Sequence, residues 1–151
     1  MTTQKKQQGF TIIEVVLVLA IAGLIFLMVF IALPALQRNQ RDTQRRNDAG
    51  RLVTAVNNYQ TNTKGNIPLT EAAIDGAVTQ YLSEGFIDPS EGNYNVNIGT
   101  APNAVPARGV MLYYPGSKCS ATTSDADASG GARQFAIRIT MEGGGVYCTG
   151  T

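Results

Sequence analysis

The sequence predicts an α+β protein. A long N-terminal helix, membrane-spanning in its first half, packs against a C-terminal antiparallel sheet of about four strands. Three observations carry this. Val15 to Leu36 contain no charged, hydroxyl or amide side chain, enough chain for the about 20 residues that a bilayer core requires. Beyond that run, Ala49, Leu52, Val53, Val56 and Tyr59 recur at helical spacing,. From Tyr94 onward the pattern changes to short apolar or alternating runs bounded by glycine and proline,.

The chain has 151 residues, which fits one domain plus a membrane segment,. Its formal charge is +1 and histidine is absent. The balance points to no specific nucleic-acid partner. Without histidine there is no imidazole base and no His-based triad, and most zinc sites are excluded. No catalytic residue, cofactor or metal is expected.

In chain order, Met1 to Gln8 is polar and carries Lys5 and Lys6; Gly9 and Phe10 follow, and Glu14 stands at the start of the apolar run. A carboxylate there is costly, about 2.5–3.5 kcal/mol on insertion scales, so it is a functional candidate. The run is too long for the apolar region of a secretory signal. Its A-x-A, Ala20 to Ala22, lies inside it, so the segment is expected to stay on the mature protein. Gly23 costs a helix about 1 kcal/mol relative to alanine. Pro34 costs about 3 kcal/mol, because it removes an amide donor and crowds the carbonyl of Phe30. A helix from Phe10 to about Thr61 would be ~78 Å long.

Gly9, Phe10 and Glu14, in that order before an apolar run, resemble the type IV pilins and the type II secretion pseudopilins. The resemblance covers about the first quarter of the chain. It implies a pilin fold and a leader, residues 1–9, cut after Gly9 by a prepilin peptidase. It also implies N-methylation of Phe10 and a role for Glu14 in filament assembly. A weak zone between Gly23 and Pro34 would unwind when the subunit leaves lipid, although the proline sits later than is usual in that family.

The implied partners are further copies in a helical filament, an inner-membrane assembly machinery and, before assembly, the membrane. The implied location is the cytoplasmic membrane with the head outside the cytoplasm, then the cell surface. The leading function is a structural subunit of an extracellular type IV pilus, in adhesion or twitching. The alternatives are a minor pilin, a type II secretion pseudopilin, or an uncut membrane-anchored binding domain. An anchored enzyme is the weakest reading.

Residues 10–36 then form the membrane or filament-core helix, 37–64 its soluble half, and 65–151 the head. Arg38, Arg41 and Arg45 share one helical face and are expected to be solvated near the head groups, or to meet acids of neighbouring subunits. Asp42 and Arg46 form a favourable i,i+4 pair. These arginines stand against the positive-inside rule; the leader motif outweighs them. Asn62, Lys64, Gly65 and Pro68 stop the helix.

Thr70 to Phe86 reads as a short helix capped by Thr70. Asp88-Pro89-Ser90-Glu91-Gly92 is a turn. Strands are expected at Tyr94–Ile98, Val110–Tyr114, Phe135–Thr140 and Gly145–Thr149, with Glu142-Gly143-Gly144 turning between the last two. In an extracytoplasmic chain the even cysteine count favours a Cys119–Cys148 disulfide over two buried thiols. Asp125, Asp127, Ser129 and Gly130 mimic the first half of a calcium loop, but Ala136 stands where its bidentate glutamate belongs. Gly116 to Ala132 is therefore read as a solvated loop.

Overall fold

The computed structural model describes residues 9–82 and 85–151. The leader stretch Met1–Gln8 lies outside the described residues. The chain divides into two compact units, one ending at Gln37 and one running from Arg38 to Thr151.

Helix α1 spans Ile12–Asn62 and passes through Gly23 and Pro34 without interruption. In the first unit its large apolar side chains are all exposed, from Ile12 to Leu36. In the second unit it buries Ala49, Leu52, Ala55 and Val56, the face that the helical spacing marked. The helix stops where Lys64 and Gly65 take positive φ (60° and 90°). There the Gly65 amide donates to the Gln60 carbonyl at 2.8 Å, closing the last turn.

Helix α2 spans Glu71–Tyr81, and Thr70 caps it by accepting from the Ala73 amide at 3.3 Å. It is shorter than the expected Thr70–Phe86, because Leu82 leaves helical geometry (φ −109°, ψ 78°). Ser83 and Glu84, also within that expectation, lie outside the described residues.

Strands β1 (Ile87–Asp88) and β2 (Gly92–Asn93) pair across the expected turn. The main strands are β3 (Asn95–Ile98), β4 (Val110–Pro115), β7 (Phe135–Thr140) and β8 (Val146–Gly150), in the sheet order β3-β4-β7-β8. Between β4 and β7 lie β5 (Lys118–Cys119) and β6 (Ala126–Asp127), a separate antiparallel pair. The β7–β8 turn uses Gly144 and Gly145 at positive φ (99° and 84°), a conformation that glycine adopts without strain.

The four expected strands form an antiparallel-rich sheet, with one departure. β3 and β4 are parallel, Asn95 opposite Val110 and Ile98 opposite Tyr113. The cause is the connection from Gly99 to Gly109. A two-residue turn would have reversed the chain, whereas this longer segment returns it to the starting edge. Gly99 is required there by close approach: a Cβ would lie 2.1 Å from the Tyr114 ring.

Strand alternation sends Met111, Tyr113, Phe135, Ile137 and Ile139 to the helix side, where they join Leu52, Val56 and Ile74,. The opposite face is covered as well. Tyr114, Ala126 and Ala136 cluster there with Leu112, Cys119 and Cys148. The expected solvated loop is in part this second cover, because Ala126 on β6 is buried against the sheet.

Candidate functional site

The N-terminal site is built by local hydrogen bonding. Thr11 precedes the first helical residue, and Glu14 lies three positions later. The Thr11 backbone amide and hydroxyl both donate to Glu14 Oε2, at 2.8 and 2.7 Å. The Glu14 amide donates back to the Thr11 hydroxyl at 3.4 Å. This is a capping box, in which two unpaired amides at the helix start are satisfied reciprocally. It explains why α1 begins at Ile12 and not at Phe10. Both Glu14 bonds use Oε2, and Oε1 has no partner among the described residues. Phe10 is 90% exposed.

The apolar segment behind this cap makes α1 the one helix, among the described residues, long and apolar enough to cross a membrane. Residues 4–30 match the family model of the prokaryotic N-terminal methylation motif. The chain carries a prepilin leader. That motif supports a type IV pilin-like or pseudopilin precursor, and it implies processing by a prepilin peptidase and assembly into pilus-like polymers. With its apolar helix it fits membrane anchoring before assembly. Comparison with curated proteins and with solved structures gives no match.

The matched motif takes in Gly9, Phe10 and Glu14, and the cap ties Thr11 to Glu14. Sequence reasoning missed Thr11, although its signal, T-x-x-E ahead of an apolar run, was present. Gly23 and Pro34 stand farther along the same helix, and among the described residues nothing lies within 4 Å of a Cβ built at Gly23.

In the arginine flank Arg38 is exposed, as expected, while Arg41 and Arg45 depart from expectation. Arg45 is not solvated; it is 1% exposed. Its Nε and Nη2 donate to Asp88 Oδ2 and Oδ1 at 2.7 and 3.0 Å, and Nη2 also reaches the Ser90 hydroxyl. Asp42 does not pair with Arg46. It lies 3.4 Å from Arg45 Nη1, and its two oxygens accept the Glu142 and Gly143 amides at 2.7 and 2.8 Å. Arg46 instead stands 5.8 Å over the Tyr147 ring. Arg41 donates to Glu142 Oε2 at 2.6 Å. Two turns of α1 are thus clasped by the β1–β2 and β7–β8 hairpins, and acids from the head neutralise Arg41 and Arg45.

Burial disfavours the Asp88 carboxylate. The Arg45 bond, the Ser90 amide and hydroxyl and the Glu91 amide outweigh that and hold its pKa at about 2,. The bond from Arg41 lowers Glu142. Burial, then the nearby Asp48 carboxylate that accepts its hydroxyl at 3.2 Å, raises Tyr94.

On the other face of the sheet, Cys119 and Cys148 form the expected disulfide, with Cα atoms 5.7 Å apart. Beside it Arg138, 2% exposed, donates to the Ser124, Pro102 and Ala104 carbonyls at 2.7, 2.7 and 2.6 Å and to Asp125 Oδ1 at 2.9 Å. Asp125, the first residue of the half calcium motif, is thereby committed to Arg138. Asp127 accepts the Ser129 amide at 2.9 Å, an Asx turn.

Proposed function

We propose that the chain is a structural subunit of an extracellular type IV pilus, cut after Gly9 and N-methylated on Phe10. The observation that carries this reading is the apolar half of α1 behind a prepilin leader. Its large side chains are exposed throughout, and they call for lipid before assembly and for the helices of other copies afterwards,. Cleavage frees an α-amine on Phe10, which is positive at neutral pH. Either charge alone is costly to bury, and together they neutralise. The cap holds Oε2 and leaves Oε1 for the amine of a neighbouring copy. That pair sets the register between helices whose apolar packing is non-directional. Gly23 and Pro34 make the segment between them the place for α1 to unwind on leaving lipid.

A minor pilin or a type II secretion pseudopilin would share the leader. The experiment is mass spectrometry of filaments sheared from cells, run beside a Glu14→Val strain. The wild type should yield a chain beginning at methylated Phe10. The variant should be processed in the membrane pool and nearly absent from filaments. Filaments of uncut chain would overturn the processing, and wild-type yield from processed Glu14→Val would overturn the register role.

A further inference from the structure

Arg138 and the disulfide are joined by the register of the sheet. Arg138 on β7 stands opposite Cys148 on β8. Cys119 on β5 stands opposite Ala126 on β6, and the residue before Ala126 is Asp125, which receives Arg138 Nη2 at 2.9 Å. The Asp125 carbonyl accepts the Ser120 amide at 2.9 Å and lies 3.9 Å from Cys148 Sγ. The Pro102 carbonyl, a second Arg138 acceptor, also takes the Ala126 amide at 3.0 Å. One buried guanidinium therefore gathers the 102–104 segment and the β5–β6 pair against β8.

We infer that Arg138, acting through Asp125, is the positioning residue that brings Cys119 to Cys148 and sets how readily the two thiols close. The β5–β6 pair has two residues on each strand, and a hairpin of that size does not hold itself in water. The cysteines are separated by 29 residues. A flexible loop gives its ends an effective concentration of only about millimolar. Docking of Asp125 on Arg138 raises it, and by reciprocity closure of the disulfide tightens the docking.

With a small-molecule disulfide such as glutathione disulfide as oxidant, the chemistry balances. One cysteine thiolate attacks the oxidant and expels a glutathione thiolate. The other cysteine thiolate attacks the protein sulfur of the mixed disulfide and expels the second glutathione. Two electrons pass from the cysteines to the oxidant, and the two cysteine protons are taken up by the released thiolates. Arg138 takes no part in the bond exchange; it fixes where the second thiol waits.

The test equilibrates the full chain, in detergent, with a glutathione redox buffer and reads the effective concentration of the thiol pair by alkylation and mass spectrometry. Wild type, Asp125→Ala and Arg138→Met are compared without denaturant and in denaturant. The Asp125 side chain is 42% exposed, so Asp125→Ala should keep the fold, checked by the near-ultraviolet tyrosine signal. Its effective concentration should fall by about tenfold, the scale of one charge-assisted hydrogen bond, and Arg138→Met should fall further. All three should agree in denaturant, because the positioning exists only in the folded head. If Arg138→Met loses the tyrosine signal, Asp125→Ala decides alone. A folded Asp125→Ala within twofold of wild type would overturn the inference.

Discussion

Arg45 and Arg138 lie on opposite sides of the same sheet, both buried, and their needs are met in opposite ways. Arg45 is held mainly by carboxylates: Asp88 in two bonds, Asp42 at 3.4 Å and Glu142 at 3.8 Å. Arg138 is held mainly by carbonyls, with Asp125 its one acidic acceptor in the described bonds. Two of the carboxylates around Arg45 are themselves buried, Asp88 to 2% and Asp42 to 6% exposure. Asp125 is not. The first cluster is therefore an ionic unit whose members cannot be left alone. The second is a tie holding loops that water can reach. A buried ion pair is weak evidence for stability but strong evidence for mutual dependence.

The largest break in that comparison is Arg45→Met, which strands the Asp88 carboxylate in the interior. The expected loss is about 3–5 kcal/mol, read by urea unfolding of the detergent-solubilised chain with tyrosine circular dichroism. Arg45→Met combined with Asp88→Asn should return most of it. The amide keeps an oxygen for the Ser90 and Glu91 amides, which Asp88 Oδ1 accepts at 2.9 and 3.0 Å. Arg138→Met should cost less than Arg45→Met, since the freed carbonyls hydrate when the loops lift. An Arg45→Met loss no larger than that of Arg138→Met would erase the distinction.

Acid should separate the two arginines next. The folded Asp88 pKa is about 2 against an ordinary 3.8. A depressed pKa contributes stability above the ordinary value, and that contribution is lost as pH falls through the folded value. Glu142 is lowered as well, by Arg41, and adds in the same direction. The wild-type Tm should therefore drop from about pH 4 to about pH 2, and the Arg45→Met/Asp88→Asn double variant should show a flatter profile. Three of the four Arg138 acceptors are carbonyls, which do not titrate there, so Arg138→Met should keep a slope close to wild type. A double variant as acid-sensitive as wild type would assign the acid loss to other groups.

These two clusters also mark what the sequence concealed. Features that depend on near neighbours were legible: the apolar run, the Ala49–Leu52–Val56 face, the Thr70 cap and the glycine turn after β7. The Arg45–Asp88 pair spans 43 positions, and Arg138 reaches Pro102 across 36. No periodicity signals such partners. The arginine spacing of three and four correctly gave one helical face, but which surface that face met depended on two distant hairpins. For the same reason β3 read correctly as a strand while its parallel pairing stayed hidden, because direction is set by the Gly99–Gly109 connection. At the N-terminal site, Gly9, Phe10 and Glu14 were legible because the motif is contiguous. Thr11 was local too, three positions before the acid that its amide and hydroxyl bind.

The smallest effect is expected at Tyr113, which shows what a buried polar group costs when neither solution is used. Its ring packs 5.7 Å from Phe135, and its hydroxyl is buried without a hydrogen-bond partner among the described residues. Burial, and then Tyr59, raise its pKa, so the group stays neutral and exacts only the desolvation of an unpaired hydroxyl. Removing that hydroxyl leaves the ring contacts in place and strands no partner. Loss of an unsatisfied group from both states is close to neutral or favourable. Tyr113→Phe should therefore leave stability unchanged or raise it by up to about 1 kcal/mol, in the same urea titration that reports a large loss for Arg45→Met. A loss above about 1 kcal/mol would mean that the hydroxyl is satisfied, for which an ordered water is the natural partner. Tyr113 would then stand with Arg45 and Arg138 as a third polar tie through the core.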